Sequence, residues 1–104
     1  MGQYLALMKY RVTLSPEARA HFHGLCAYDR GSVRDAIDDH LQHAPTAESK
    51  SRIKRMRELR KLQYRLRVGD LRVFYDVDRD VVIVLGIVEK AHAEAWLAET
   101  GERT

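Results

Sequence analysis

The chain has one cysteine, two prolines and one tryptophan among 104 residues. A lone Cys26 closes no internal disulfide and supplies no cysteine-rich zinc site. Its place in an apolar helical pattern leads us to expect it buried in the core. No stretch of about 18 apolar residues occurs, so no membrane span is expected, and the first ten residues lack the basic start and apolar centre of a signal peptide. Internal repeats and low-complexity tracts are also missing. His21 and His23 point to different sides of a helix, and His40 with His43 has no neighbouring cysteine, so neither a metal nor a cofactor is expected. These absences leave a cytoplasmic chain with one modest core, expected over residues 8–99, with 1–7 as an extension and 100–104 as a tail. Met8 is then a candidate start.

What is present in quantity is positive charge, unevenly placed. The formal net charge is only +3, yet Lys50 to Arg72 holds ten basic residues against Glu58 and Asp70, a net of +8. The other 81 residues sum to −5. A cationic segment of this density suits a surface that meets phosphate or an acidic partner better than an ordinary solvated face.

Hydrophobic spacing assigns the elements. Met8 to Leu14 alternates as a half-buried strand, and Ser15-Pro16-Glu17 then combines a capping hydroxyl, a proline preset for the first helical turn and an acid at the positive helix end. Ala18, Phe22, Leu25 and Cys26 form one apolar helical stripe, closed by Tyr28 and Asp29. Gly31 should separate this helix from a second, opened by Ser32 with Asp35 and striped by Val33, Ile37 and Leu41, which Ala44-Pro45 ends. Thr46 to Ser51 is a polar connector, and Arg52 to Lys61 is open to either helix or loop. From Tyr64 the period is two: Tyr64, Leu66 and Val68 face one way, Arg65 and Arg67 the other. A turn at Gly69-Asp70 leads into Leu71, Val73, Tyr75 and Val77, opposite Arg72, Phe74 and Asp76. After the turn Asp78-Arg79-Asp80, the apolar run Val81 to Val88 should be the central strand, covered on both faces. Ala91 to Glu99 closes as a short helix. The expected fold is α+β: an N-terminal strand and helical hairpin packed on a twisted, mostly antiparallel four-stranded sheet, with a short C-terminal helix.

The hairpin YRLRVGDLRVFYDV at Tyr64 to Val77, followed by VVIVLGIV, resembles the RelE/ParE superfamily of toxins from type II toxin-antitoxin pairs. The opening strand with Ser15-Pro16 and Ala18 and the helical hairpin fit the same pattern, so the resemblance runs from about Met8 to Leu97. It implies a sheet with a basic concave face and a cognate antitoxin that wraps and blocks it, with operator DNA met only through the antitoxin complex. In the RelE branch that face enters the A site of the small ribosomal subunit and cuts messenger RNA. In the ParE branch the scaffold poisons DNA gyrase.

Metal-independent RNA cleavage requires deprotonation of a 2′-hydroxyl, stabilisation of a phosphorane and protonation of the leaving 5′-oxygen. Arg65, Arg67 and Arg72 should share one face, where guanidiniums fork onto phosphate oxygens. RelE-like members commonly carry lysines at the positions of Arg65 and Arg67. An arginine stays charged and is a poor base. Proton transfer is therefore assigned to His92, which stands where the family places functional groups, with Glu58, Lys61, Tyr64 and Tyr75 as alternatives. Family members often have an Arg and a later Tyr where this chain has Ala91 and Leu97. Lys54, Arg55, Arg57, Arg60, Lys61, Tyr64 and Trp96 are expected to bind RNA. Structural roles compete with these: Arg72 can pair with Asp70, Asp76 or Asp78, His92 can cap a helix, and Trp96 can pack the last helix on the sheet. The expected activity is a ribosome-dependent mRNA endonuclease. The alternatives are gyrase inhibition, or an inactive member serving as a binding module for antitoxin or DNA.

Overall fold

The computed structural model describes residues 9–56 and 62–100. Five strands form one sheet in the order β1-β5-β4-β3-β2. These are β1 (Arg11–Leu14), β2 (Ile53–Arg55), β3 (Tyr64–Val68), β4 (Leu71–Asp78) and β5 (Val81–Glu89). Only the β1 to β5 pairing is parallel. Helices α1 (Pro16–Gly24) and α2 (Ala27–Ala36) follow β1, and α3 (Ala93–Thr100) follows β5 through a short 3₁₀ turn, Lys90–His92.

The α+β architecture stands, with one strand more than the sequence pattern suggested. Ile53 is 3% exposed and pairs with Leu66, while Lys54 turns outward, so the one apolar residue of β2 pulls a cationic segment into the sheet. The outer edge of β2 is closed by its own approach. Ser49 N–H donates to the Ile53 carbonyl at 2.9 Å, and Arg55 N–H donates to the Glu48 carboxylate at 3.1 Å. This caps a strand edge that would otherwise pair with other chains.

The helical boundaries also differ from the spacing. Ser15 caps α1 as expected, accepting from Ala18 N–H at 3.1 Å with Pro16 in the first turn. However, α1 stops at Gly24 and Leu25 is extended, so Cys26 falls outside the stripe. It is the exposed cap residue of α2 rather than a core residue. Arg30 N–H donates to the Cys26 carbonyl at 2.9 Å, starting the α2 ladder before Gly31. Gly31 and Ser32 therefore lie inside the helix, and Tyr28 and Asp29 open it instead of closing its predecessor. The helix ends in a wider π turn, Ile37–Leu41, that delivers Leu41 fully buried to the core.

The doubly covered strand is β4, not Val81 to Val88. Leu71, Val73 and Tyr75 face the helices, and Arg72 and Phe74 on the other side are equally enclosed, at 6% and 1% exposure. β5 sits one place toward the edge, with Val81 and Ile83 half-buried on its outward face. Before β3, Leu62 is fully buried at φ +65°. Burying a leucine is worth about 2 kcal/mol, enough to offset the roughly 1–2 kcal/mol of a left-handed backbone. Gln63 ties this corner to β4, donating from N–H to the Asp76 carboxylate at 2.7 Å and accepting Val77 N–H at 3.3 Å.

Tyr75 is the largest fully buried side chain among the described residues. Its ring stacks on Tyr64 at 5.5 Å, and its hydroxyl donates to the Pro45 carbonyl at 2.6 Å. Burial first, and Tyr64 second, push its pKa well above the usual phenol range. The unfolded phenol ionises near pH 10 while the folded one stays protonated, so folding stability should fall as pH rises above about 10. Urea melts at alkaline pH should show that loss, and Tyr75→Phe should reduce it at a cost of about 1 kcal/mol at neutral pH from the lost hydrogen bond.

Candidate nucleic-acid interface

The β3–β4 hairpin makes the site. Gly69 adopts φ +58° in its two-residue turn, which pairs Val68 with Leu71 and sets Arg67 directly opposite Arg72. Arg67 N–H donates outward, to the Arg52 carbonyl at 2.9 Å, so Arg67 and Arg72 form a non-hydrogen-bonded pair, the geometry that brings side chains closest. One row further along, Lys54, Arg65, Phe74 and Gly86 lie side by side across β2, β3, β4 and β5. Four cations thus share one sheet face. Asp76 shares the β4 side of it, two residues beyond Phe74, where it accepts from Gln63.

The three arginines are held differently. Arg67 is exposed. Arg72 is enclosed, and its Nη1 donates to the Gly69 and Leu71 carbonyls, both at 2.9 Å, so it locks the turn that presents Arg67. Burial and then the charges of Arg65 and Arg67 lower its pKa, with Asp70 opposing. Arg65 has a buried Nε without a hydrogen-bond partner. A buried donor of this kind costs about 1–3 kcal/mol, and an anionic oxygen would satisfy it.

The remaining sequence candidates separate. Trp96, half-buried on α3, stacks on Phe74 at 5.4 Å and borders the arginine face. Its indole occupies the space that a β-carbon at Gly86 would need. Tyr64 and Arg55 lie on the opposite, helix-facing side of the sheet, where the Arg55 guanidinium sits 5.1 Å over the Tyr64 ring. His92 is 72% exposed, with Nδ1 paired to Glu89 at 3.3 Å. Among the described residues no hydrogen bond or ion pair joins it to the arginines. Arg57, Glu58, Arg60 and Lys61 lie outside the described residues. No group of three or more potential metal ligands occurs among the described residues, and no described helix is long and apolar enough to cross a membrane.

A cleft of about 640 Å³ opens on the helix side, between α2 and the hairpin turn. Asp29, Asp35, Asp39, Asp70 and Glu89 line it with Arg52. That lining repels phosphate. The cationic surface is the sheet face away from the helices, and the residues that sequence reasoning missed are those that shape its border: Phe74, Gly86, and Glu17 and His21 on α1. A glycine inside an otherwise apolar strand marks a close approach, and that was the available signal.

The site is thus a small sheet with helices on one side and a guanidinium cluster on the other. The chain belongs to the family described as the ParE toxin of the type II toxin-antitoxin system parDE, whose model matches residues 12–93. No curated protein matches it. Among solved structures, the chain is similar to one in the archaeal RelE–RelB complex of Pyrococcus horikoshii, with TM-score 0.65, 24% identity, and 80% of this chain and 97% of that one covered. It is similar to one in the RelBE2 toxin-antitoxin complex of Mycobacterium tuberculosis, with TM-score 0.64, 24% identity and coverages of 78% and 98%. A third, in the RelB–RelE complex of Methanococcus jannaschii, has TM-score 0.63, 17% identity and coverages of 80% and 95%.

Like charges directly opposite across strands destabilise a sheet. Arg67→Gln should therefore raise the unfolding free energy in low salt by about 0.5 kcal/mol, and should shrink the stabilisation gained on adding inorganic phosphate. Urea melts with and without phosphate measure both; a variant less stable than the parent in low salt would show that the pair carries no strain.

Proposed function

We propose that this toxin is a ribosome-dependent mRNA endonuclease, held in check by a cognate antitoxin. The observation that carries the reading is the convergence of Arg65, Arg67 and Arg72 on one sheet face, with a buried guanidinium donor unpaired. Phosphoryl transfer within RNA concentrates negative charge on the non-bridging oxygens as the 2′-oxygen attacks. Preorganised guanidiniums oppose that charge most strongly in the transition state. Arg65 and Arg67 would take the phosphate oxygens, Arg72 would hold the hairpin and add field, and Lys54 would grip an adjacent phosphate. Trp96 would offer a ring edge to a base beside the cleaved bond. His92, exposed in the turn before α3, is the proton-transfer candidate, because an imidazole can both accept and donate a proton. The substrate would be presented by the ribosome. The solved relatives are complexes with RelB, which supports an antitoxin partner for this chain.

The family match favours a second reading, inhibition of DNA gyrase on the same scaffold. Purified protein added to a translation extract and to a supercoiling assay separates the two. Cleaved transcripts with unimpaired supercoiling are expected; intact transcripts with blocked supercoiling would establish the gyrase reading. In the cleavage assay, Arg67→Ala should lower the rate by about 10²-fold or more, the usual loss for one transition-state donor. His92→Gln should lower it, whereas an unchanged rate would take His92 out of the chemistry.

A further inference from the structure

β1 covers β5 only as far as Val84, because Ser15 then leaves the sheet to cap α1. Ser15 N–H still bonds the Val84 carbonyl at 2.9 Å. Beyond that point α1 takes the place of a strand. Ile87 N–H, on the open edge of β5, donates to His21 Nδ1 at 3.1 Å. A ring nitrogen that accepts carries no proton, so this bond requires His21 in its neutral form with any proton on Nε2. His21 Nε2 lies 3.8 Å from Glu17 Oε2. The same Glu17 oxygen accepts the Trp96 Nε1–H at 3.2 Å, and the Trp96 ring meets the edge of His21 at a centroid distance of 6.1 Å. The groups that face His21 are therefore Glu17 from its own helix, a backbone amide from β5 and the indole from α3. Of these only Glu17 carries charge.

We infer that Glu17 and His21 are positioning residues that set the seat of Trp96 beside the arginine face, and that this seat forms only while His21 is neutral. Its functional consequence rests on the RNA reading given above; the coupling itself does not. On protonation, Nδ1–H would face Ile87 N–H, donor against donor. The imidazolium would also draw the Glu17 carboxylate from the indole. Acidification then loosens the contact that keeps α3 over Gly86 and Phe74.

Trp96 is the sole tryptophan, so intrinsic fluorescence of the full chain reports this seat alone. Stepwise acidification should move the emission to longer wavelength in one transition. His21→Asn, whose amide oxygen accepts but does not become charged, should abolish the transition. Glu17→Gln keeps an acceptor for the indole but no charge to favour the imidazolium, so its midpoint should fall to lower pH. His92→Asn should leave the transition in place, although His92 stands one helical turn before Trp96. A flat wild-type titration, an unchanged transition in His21→Asn, an unmoved midpoint in Glu17→Gln or its loss in His92→Asn would each overturn the assignment. Should His21→Asn fail to fold, the exposed Glu17→Gln variant decides by its midpoint. Because no step reads RNA cleavage, failure of the mRNA reading leaves this result standing.

Discussion

The enclosure of β4 on both faces is the constraint from which the rest follows. Leu71, Val73 and Tyr75 must lie under the helices, and strict alternation then sends Arg72 and Phe74 to the other side. Each large apolar side chain buried on this strand contributes about 2 kcal/mol, whereas a cross-strand pair of like charges costs less than about 1 kcal/mol. Core formation therefore wins easily over repulsion between Arg67 and Arg72. The guanidinium cluster is the electrostatic strain that this hydrophobic register forces on the hairpin. Arg72 tolerates its burial because two turn carbonyls receive its Nη1.

The same register divides the charge of the molecule. Lys54, Arg65, Arg67 and Arg72 occupy the sheet face away from the helices, while five carboxylates line the cleft between α2 and the hairpin turn. The two surfaces meet at the turn itself, where Gly69 and Asp70 belong to the cleft and Arg72 to the sheet. Trp96 marks the border of the cationic face, seated on Gly86, the only glycine within the described strands.

Much of this was legible in the residues. The period-two pattern from Tyr64 to Val77 placed Arg65, Arg67 and Arg72 on a common face, and Ser15-Pro16 marked the start of α1. The errors arose where local signals are indifferent to tertiary competition. Ser32 with Asp35 has the spacing of a cap, yet the ladder had already begun at Cys26 and ran through. Three residues around Ile53 carry too little pattern to announce a strand; a vacancy beside Leu66 recruited them. Val81 to Val88 is the most apolar run in the chain, but hydrophobicity measures neither neighbours nor order, and the centre went to the strand bearing an arginine. Tyr64 and Arg55 were grouped with the RNA-facing residues by composition. Alternation counted from Ile53 and Leu66 puts both on the other face.

The sequence by itself determined the α+β class, the turn at Gly69, the concentration of cations and their common face, because these depend on side-chain period and backbone preference within a few residues. Only the tertiary structure decided which strand lies at the centre, that Arg72 is enclosed while Arg67 is free, and that Glu17, His21, Gly86 and Trp96 meet. Those residues are separated by up to 79 positions. What joins them is the early end of β1, which leaves an edge of β5 that a helix must close, and no local pattern encodes that length mismatch.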